Sequence, residues 1–179
     1  MPDGVALTPQ SVPDFDGIYA EQFAFAWRSL RALGVRPELL DDATQDVFLV
    51  VHRRVADFEG RSSLRTWLFA IIEHVAFNYR RAQRRKAAPL EPIDPAHASD
   101  APGPHEQATD SEAARFLERV LDTLDDGKRA VFALALIEEL PAPEVAQVLG
   151  IPVNTVYSRV RTVRQAFRDA AAAYQESKP

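Results

Sequence analysis

Residues Leu140–Arg168 read LPAPEVAQVLGIPVNTVYSRVRTVRQAFR, which is two short helical patterns joined at a glycine. In the first pattern, one face carries three apolar residues: Val145, Val148 and Leu149. Gly150 can adopt the positive φ that ends a helix, and Pro152 suits the first turn of the next helix. The second pattern repeats apolar residues at spacings of three and four: Val156, Val160, Val163 and Phe167. The stretch therefore predicts a helix-turn-helix, a motif whose second helix enters the major groove of DNA.

Positive charge is concentrated on that second helix, although the 179-residue chain has a formal net charge of −5. Residues 151–168 hold no acidic residue and four arginines: Arg159, Arg161, Arg164 and Arg168. A second basic segment, residues 61–86, holds seven cations against Glu73 alone. Two basic segments in an acidic chain indicate a polyanion contacted at two places, with an acidic remainder that could face a basic protein. Solvated helix faces that bind nothing are the alternative.

Composition excludes several classes of protein. Hydrophobic residues make up 46% of the chain, enough for a core, and few glycines among many helix formers favour an all-α fold. The absence of cysteine excludes disulfides and thiolate metal ligands. Without a long apolar run or a signal peptide pattern, we expect a cytoplasmic protein with no membrane insertion. The four histidines lack H-E-x-x-H spacing and no glycine-rich phosphate loop occurs, so we expect no enzyme, no catalytic residue, no metal and no cofactor.

The helical patterns predict two small helical domains joined by a flexible linker. Residues 1–13 hold three prolines and no periodicity, and they predict a disordered arm. The first domain spans residues 14–86 and contains three predicted helices: 14–33, 37–56 and 63–86. Residues 87–110 hold five prolines and no aromatic residue, so they predict the linker. The second domain spans residues 111–175 and places two amphipathic helices before the helix-turn-helix.

Two helix faces of the first domain are candidates for binding. On the second helix, one face carries Asp42, Gln45, Asp46 and Leu49, and it is either solvated or binds a partner. On the third helix, Phe69 and Phe77 lie off the predicted core stripe, and the helix ends in the cluster YRRAQRRK. Exposed aromatic rings beside arginines suit single-stranded nucleic acid, whereas the alternative is that these rings are core. On the first helix, we expect the core to take some combination of Ile18, Phe23, Phe25, Trp27 and Leu30.

Two long runs match one known family in order and spacing. They are DDATQDVFLVVHRRVADFEGRSSLRTWLFAIIEHVAFNYRRAQRR (residues 41–85) and LDDGKRAVFALALIEELPAPEVAQVLGIPVNTVYSRVR (residues 124–161). With the proline-rich linker between them, they resemble the extracytoplasmic-function sigma factors of bacterial RNA polymerase. The resemblance implies that the two domains are sigma regions 2 and 4. It also implies a sigma factor that binds core polymerase, recognises −35 and −10 promoter elements and promotes opening of the −10 duplex. A polymerase-independent helix-turn-helix repressor or activator is the alternative.

The resemblance also implies partners and site residues. The partners are core RNA polymerase, through its β′ clamp coiled coil and β flap, and promoter DNA, both double- and single-stranded; the family often pairs with an anti-sigma factor. Asp42, Gln45 and Asp46 match the D-x-x-Q-[DE] motif that docks on the β′ coiled coil, and Leu49 lies on the same face. The implied −10 positions are Phe58, Arg61, Ser62, Ser63, Arg65, Asn78, Arg80, Arg81 and Arg84. The implied −35 positions are Asn154, Thr155, Tyr157, Ser158, Arg159, Arg161 and Arg164.

The chain departs from the family pattern in both domains. Glu73 and His74 stand where Arg-Asn is usual, which puts an anion near the expected single strand. Tyr157 and Thr162 stand where cations are usual in the recognition helix, and Arg161 adds one. We therefore expect the promoter preference to differ from that of typical members.

Overall fold

The computed structural model describes residues 14–87 and 110–176, and these residues form helices and turns with no strand. In chain order the helices are α1 (Phe15–Ala32), α2 (Leu40–Arg54), α3 (Leu64–Ala87), α4 (Asp110–Asp122), α5 (Asp126–Val131), α6 (Ala142–Leu149) and α7 (Val153–Glu176). A π-helical segment (Phe132–Ile137) continues α5, and 3-10 turns precede α2 (Pro37–Leu39) and follow it (Val55–Asp57). The expected all-α class is confirmed. The expected arm and nearly all of the expected linker lie outside the described residues.

The first domain packs α1, α2 and α3 around one apolar core. Its most buried side chains include Leu30, Val47, Val51, Leu68 and Ile72, each completely shielded from solvent. Burying a side chain of this size contributes about 1.5–3 kcal/mol, so the core supplies most of the stability that holds the helix faces in place. The amphipathic stripes that predicted the three helices are therefore the surfaces at which they meet.

The aromatic residues of the first domain differ from the predicted pattern. Phe69, expected off the core stripe, is 1% exposed and lies 6.3 Å from the ring of Phe25 in α1. The reason is that α3 packs against both α1 and α2, which buries more than one face of the helix. Phe77, in contrast, is 48% exposed, as an aromatic ring off the stripe should be. Phe23, one of the expected core candidates, is 38% exposed and stacks on Phe48 at the surface.

The second domain contains the predicted helix-turn-helix. α6 ends at Gly150, whose φ of 63° is left-handed, and α7 begins three residues later. Val145, Val156 and Val163 are fully buried between the two helices. The other predicted inward residues pack partly buried against this core: Val148, Leu149, Val160 and Phe167. The motif's outer face is thus held rigidly on a small core.

The two domains share a junction, formed by α1 and α3 on one side and by α5 and the π-helical segment on the other. Arg28 of α1 donates two hydrogen bonds to Glu138, at 2.7 and 2.8 Å. Arg129 of α5 is 2% exposed and donates to the carbonyl oxygen of Leu33 at 3.2 Å. The proline-rich linker predicts only that the two domains are separate units, and it does not predict that they contact each other. The junction is therefore a finding of the structure alone.

Candidate nucleic-acid interface

The outer face of α7 presents a row of polar and cationic side chains. Most of the predicted −35 residues are exposed there: Asn154, Tyr157, Ser158, Arg161 and Arg164. Val156 and Val163 anchor the opposite side of the helix. Tyr157, Arg161 and Arg164 also line a shallow groove of about 430 Å³ that runs on to Arg168. Arginine donors exposed on a rigid helix are what contacts to base edges and phosphates require.

Two predicted −35 residues are less accessible. Arg159 is half-buried, and its Nη1 donates to the carbonyl oxygen of Gly127 at 3.4 Å. A Cβ atom on Gly127 would come within 2.8 Å of the Arg159 guanidinium, so the glycine makes room for this side chain. Thr155 is also half-buried, and its carbonyl oxygen accepts a hydrogen bond from Ser158 Oγ at 2.9 Å. The Arg159 guanidinium is therefore partly engaged with the backbone of α5.

The loop between α2 and α3 is anchored at both ends. Phe58 is half-buried against Trp67, with ring centroids 5.3 Å apart. Ser63 caps α3, because its Oγ accepts from the backbone N–H of Thr66 at 3.1 Å. The tip of the loop, Arg61 and Ser62, is exposed. A loop fixed at its ends and open at its tip is suited to hold an unstacked base.

The C-terminal half of α3 combines an exposed ring with arginines. Phe77 lines a groove of about 300 Å³ together with four arginines: Arg80, Arg81, Arg84 and Arg85. Asn78, Arg81 and Arg84 are exposed, whereas Arg65 is half-buried with its guanidinium 5.2 Å from the ring centre of Phe25. A base can stack on the Phe77 ring while the guanidinium groups meet phosphates.

Arg80 and Glu73 have a different environment on the same helix. The Arg80 side chain is 7% exposed and forms an ion pair with Asp126 of α5. Burial, and secondly the nearby Asp126 carboxylate, raise the pKa of the Glu73 carboxyl above its usual value. Glu73, which the sequence placed near the expected single strand, therefore lies near the Asp126 carboxylate at the domain junction.

The polar face of α2 is exposed as expected, with Asp42, Gln45, Asp46 and Leu49 all accessible. Asp46 also has a structural contact, because Tyr79 of α3 donates its hydroxyl to Asp46 Oδ2 at 2.8 Å. Burial and this hydrogen bond raise the pKa of Tyr79 to about 12. Leu49 is 47% exposed, which leaves an apolar side chain in the middle of an acidic face.

Sequence reasoning missed an aromatic groove next to this face. The groove, of about 600 Å³, lies between α1 and α2 and is lined by Phe15, Tyr19, Phe23, Phe48 and His52, together with Gln45 and Leu49. The spacing of four between Phe15, Tyr19 and Phe23 was the available signal, but only Phe23 was considered, and it was taken as a core candidate. Within residues 14–87 and 110–176, no cluster of acidic and histidine side chains is arranged to hold a metal, and no helix is long and apolar enough to cross a membrane.

Comparison with known proteins identifies the family. Residues 18–86 match Sigma-70 region 2, and residues 116–167 match Sigma-70, region 4. The RNA polymerase sigma factor CnrH of Cupriavidus metallidurans is 34% identical over 148 residues, which cover 76% of this chain and 75% of that protein. The chain belongs to the extracytoplasmic-function sigma factors of the sigma-70 family.

Two further sigma factors are similar to this chain, one in sequence and one in fold. The ECF RNA polymerase sigma-E factor of Haemophilus influenzae is 28% identical over 138 residues, which cover 73% of each chain. The structure of the sigma factor RpoE in complex with the anti-sigma factor NepR from Bartonella quintana has a TM-score of 0.64 to this chain at 18% identity, covering 89% of this chain and 97% of that one. The likeness of fold thus extends over both domains of this sigma factor.

The family assignment maps onto the helices. Region 2 covers most of α1 and all of α2, together with nearly all of α3, and region 4 runs from the second half of α4 into α7. As a sigma factor, the protein is a transcription initiation factor and not an enzyme, and its partners are RNA polymerase and promoter DNA. The family resemblance of the sequence is therefore confirmed.

Proposed function

We propose that this sigma factor reads the −35 element as duplex with α7. The observation that carries the proposal is the exposed row Tyr157, Ser158, Arg161 and Arg164 on a helix whose opposite side is buried. A bidentate arginine–guanine contact contributes about 1–3 kcal/mol of discrimination, enough to select a promoter. Asn154 and Thr155 at the start of the helix, and Arg159 once released from Gly127, complete the surface. Because Tyr157 stands where the family usually has a cation, contacts of its ring with the DNA would replace one contact with a phosphate.

Region 2 would bind the −10 element as single strand. The exposed loop tip at Arg61 and Ser62, between Phe58 and Ser63, suits a flipped base, and Phe77 with Arg81 and Arg84 suits the strand that follows. Flipping a base out of the stack costs a few kcal/mol, which stacking and phosphate contacts can offset. Arg65, Asn78 and Arg80 belong to the same predicted set. Holding the open strand in this way promotes melting of the −10 duplex.

Core polymerase would dock on the polar face of α2. The carboxylates of Asp42 and Asp46 suit basic side chains of a coiled coil, here the β′ clamp, while Gln45 would add a hydrogen bond and Leu49 an apolar contact. Region 4 would contact the β flap. An anti-sigma factor is a further partner that we propose, since the RpoE chain of similar fold is in complex with one. The action is cytoplasmic, because bacterial RNA polymerase transcribes there.

A gel-shift assay tests this function against the polymerase-independent regulator. We expect weak promoter binding by the free protein and a strong gain when core polymerase is added. Tight, specific duplex binding with no gain from core would contradict the proposal. No observation favours the regulator, which would leave the loop tip and the Phe77 groove without a role.

A further inference from the structure

A cavity of about 410 Å³ lies between α1, α3 and α4, and its lining is strongly cationic. Five arginines line it, against the two carboxylates of Glu118 and Asp122: Arg31, Arg36, Arg80, Arg84 and Arg129. Sites for small molecules in proteins typically have volumes of about 300–1,000 Å³. The cavity is therefore large enough for a small organic ligand, and the excess of positive charge favours an anion.

Two hydrogen-bond donors in this lining have no acceptor. Arg80 Nε and Gln83 Nε2 are both buried, and neither has a hydrogen-bond partner among the described residues. Arg80 as a whole is 6% exposed, and its ion pair with Asp126 uses Nη2 and leaves Nε without a partner. A buried donor without an acceptor costs free energy, which a ligand with several acceptor oxygens would recover. The unmet donors therefore indicate a ligand rich in oxygen.

The positive charge of the cavity is also poorly compensated. Within residues 14–87 and 110–176, three of its arginines form no ion pair with a carboxylate: Arg31, Arg36 and Arg84. Arg129 is 2% exposed, and burial, followed by the charge of Arg80, lowers the pKa of Arg129. Guanidinium groups bind phosphate through two parallel, charge-assisted hydrogen bonds. A ligand with phosphate groups would supply both the missing negative charge and the missing acceptors.

The part of the lining that α4 contributes has a different chemistry. Leu117 and Leu121 are apolar, and a carboxylate follows each of them in the sequence, Glu118 and Asp122. Apolar side chains can pack against the ring of a nucleoside, while carboxylates accept hydrogen bonds from its hydroxyl or amino groups. A ligand with phosphates at one end and a nucleoside at the other would therefore match both parts of the lining.

We infer that this cavity binds a nucleotide with at least two phosphate groups, with the phosphates on the arginines and the nucleoside against α4. The inference does not depend on the proposed reading of the promoter, because it needs no DNA. The cavity shares Arg80 and Arg84 with the predicted −10 residues. Arg31 and Arg36 lie outside every set proposed to contact DNA or polymerase, so they allow the cavity to be tested by itself.

Isothermal titration calorimetry on the full chain, at constant ionic strength, tests the site with three probes: ADP, pyrophosphate and adenosine. We expect ADP and pyrophosphate to bind at one site per chain. Adenosine, which lacks the phosphates, should bind at least about tenfold more weakly than ADP. Thermal unfolding provides a second readout, because a ligand that binds only the folded protein raises the midpoint of unfolding.

Three variants locate the site. The double variant Arg31→Gln/Arg36→Gln should lower the affinity for both ADP and pyrophosphate by about tenfold or more, because charge-assisted hydrogen bonds to the phosphates are lost. Arg53→Gln removes a charge from an exposed position of α2 outside the cavity, and it should leave both affinities unchanged. Leu117→Ala should lower the affinity for ADP by about fivefold and leave that for pyrophosphate unchanged, which also shows that this variant is folded.

Several results would overturn the inference. One is the absence of both heat of binding and a rise in the unfolding midpoint with ADP and with pyrophosphate. An equal loss of affinity in Arg53→Gln would assign the binding to net charge, and equal affinity of wild type and Leu117→Ala for ADP would contradict the place given to the nucleoside. Fluorescence anisotropy with a labelled single-stranded DNA of random sequence completes the test. If the double variant loses as much affinity for this DNA as for ADP, the arginines belong to the DNA surface and the inference is wrong.

Discussion

At the residue scale, Asp46 serves the fold as well as the proposed docking face, because it accepts the Tyr79 hydroxyl. Tyr79→Phe removes that hydrogen bond and should lower the free energy of unfolding by about 1 kcal/mol while leaving affinity for core polymerase unchanged. Asp42→Arg changes an exposed carboxylate on the same face and should do the opposite, with stability kept and core affinity reduced about tenfold. Asp46→Arg should show both effects. Urea unfolding and a fluorescence binding assay with core check these outcomes; unchanged core affinity in Asp42→Arg would remove the docking assignment.

Two arginines of α7 should separate base reading from phosphate binding. Arg159→Ala should reduce the preference for the native over a scrambled −35 element by about 1–3 kcal/mol, if Arg159 leaves Gly127 to contact a guanine. Arg164→Ala, further along the helix, should weaken binding to all sequences and reduce the slope of log affinity against log salt by about 1. Transcription and binding titrations on native and scrambled promoters at several salt concentrations distinguish the two. Equal discrimination before and after Arg159→Ala would count against its reading role.

At the element scale, two glycines with positive φ end helices and differ in their surroundings. Gly150 has open space around it, so Gly150→Ala should cost about 1 kcal/mol of stability from backbone strain alone. At Gly34, which ends α1 with a φ of 92°, a Cβ would lie 2.0 Å from Arg129 Nη1. Gly34→Ala should therefore cost more and also open the domain junction. Denaturant unfolding measures the loss of stability, and energy transfer between a fluorophore on each domain measures opening of the junction. Equal behaviour of the two variants would show that the Arg129 side chain moves aside at little cost in free energy.

The start of α5 provides a pH-dependent contribution to stability. Asp125 accepts the backbone N–H of Lys128 at 2.8 Å, and hydrogen bonds from the Lys128 side chain and backbone lower the pKa of the Asp125 carboxyl below its usual 3.8. Because the folded pKa is the lower one, this stabilisation is present above pH 3.8 and disappears as pH falls through the folded value. Asp125→Ala should cost about 1 kcal/mol at neutral pH, and the difference from wild type should shrink in acid. A difference independent of pH would contradict the cap.

The helices and their caps could be predicted because they depend on local sequence. The helix stop at Gly150 and the buried stripe of α7 both follow from spacing and conformational preference. Phe69 could not be placed, because its burial depends on α1 covering a second face of α3. The π-helical segment was likewise expected as plain helix, since its widened turn has no local signature. Tertiary contacts, not propensity, decide such positions.

At the scale of the whole molecule, the sequence predicts two surfaces and leaves their relation open. The cationic face of α7 was predicted from charge, whereas the sequence left open whether Phe77 is exposed beside the arginines or buried. The burial of Arg80 was not predicted, because Asp126 and Arg80 are 46 positions apart and no periodic pattern links them. Once one of the two domains has bound promoter DNA, the linker keeps the other domain close to its own element. The effective concentration of the second domain at the promoter is therefore raised.

The most direct test is run-off transcription with core RNA polymerase on a genomic promoter pool, with and without this protein. We expect transcripts only when the protein is present, starting downstream of shared −35 and −10 elements and lost when either element is scrambled. The charge reversal Asp42→Arg should reduce all of these transcripts together. Transcripts that form equally without the protein, or specific DNA binding that core polymerase neither strengthens nor converts into transcription, would contradict the function.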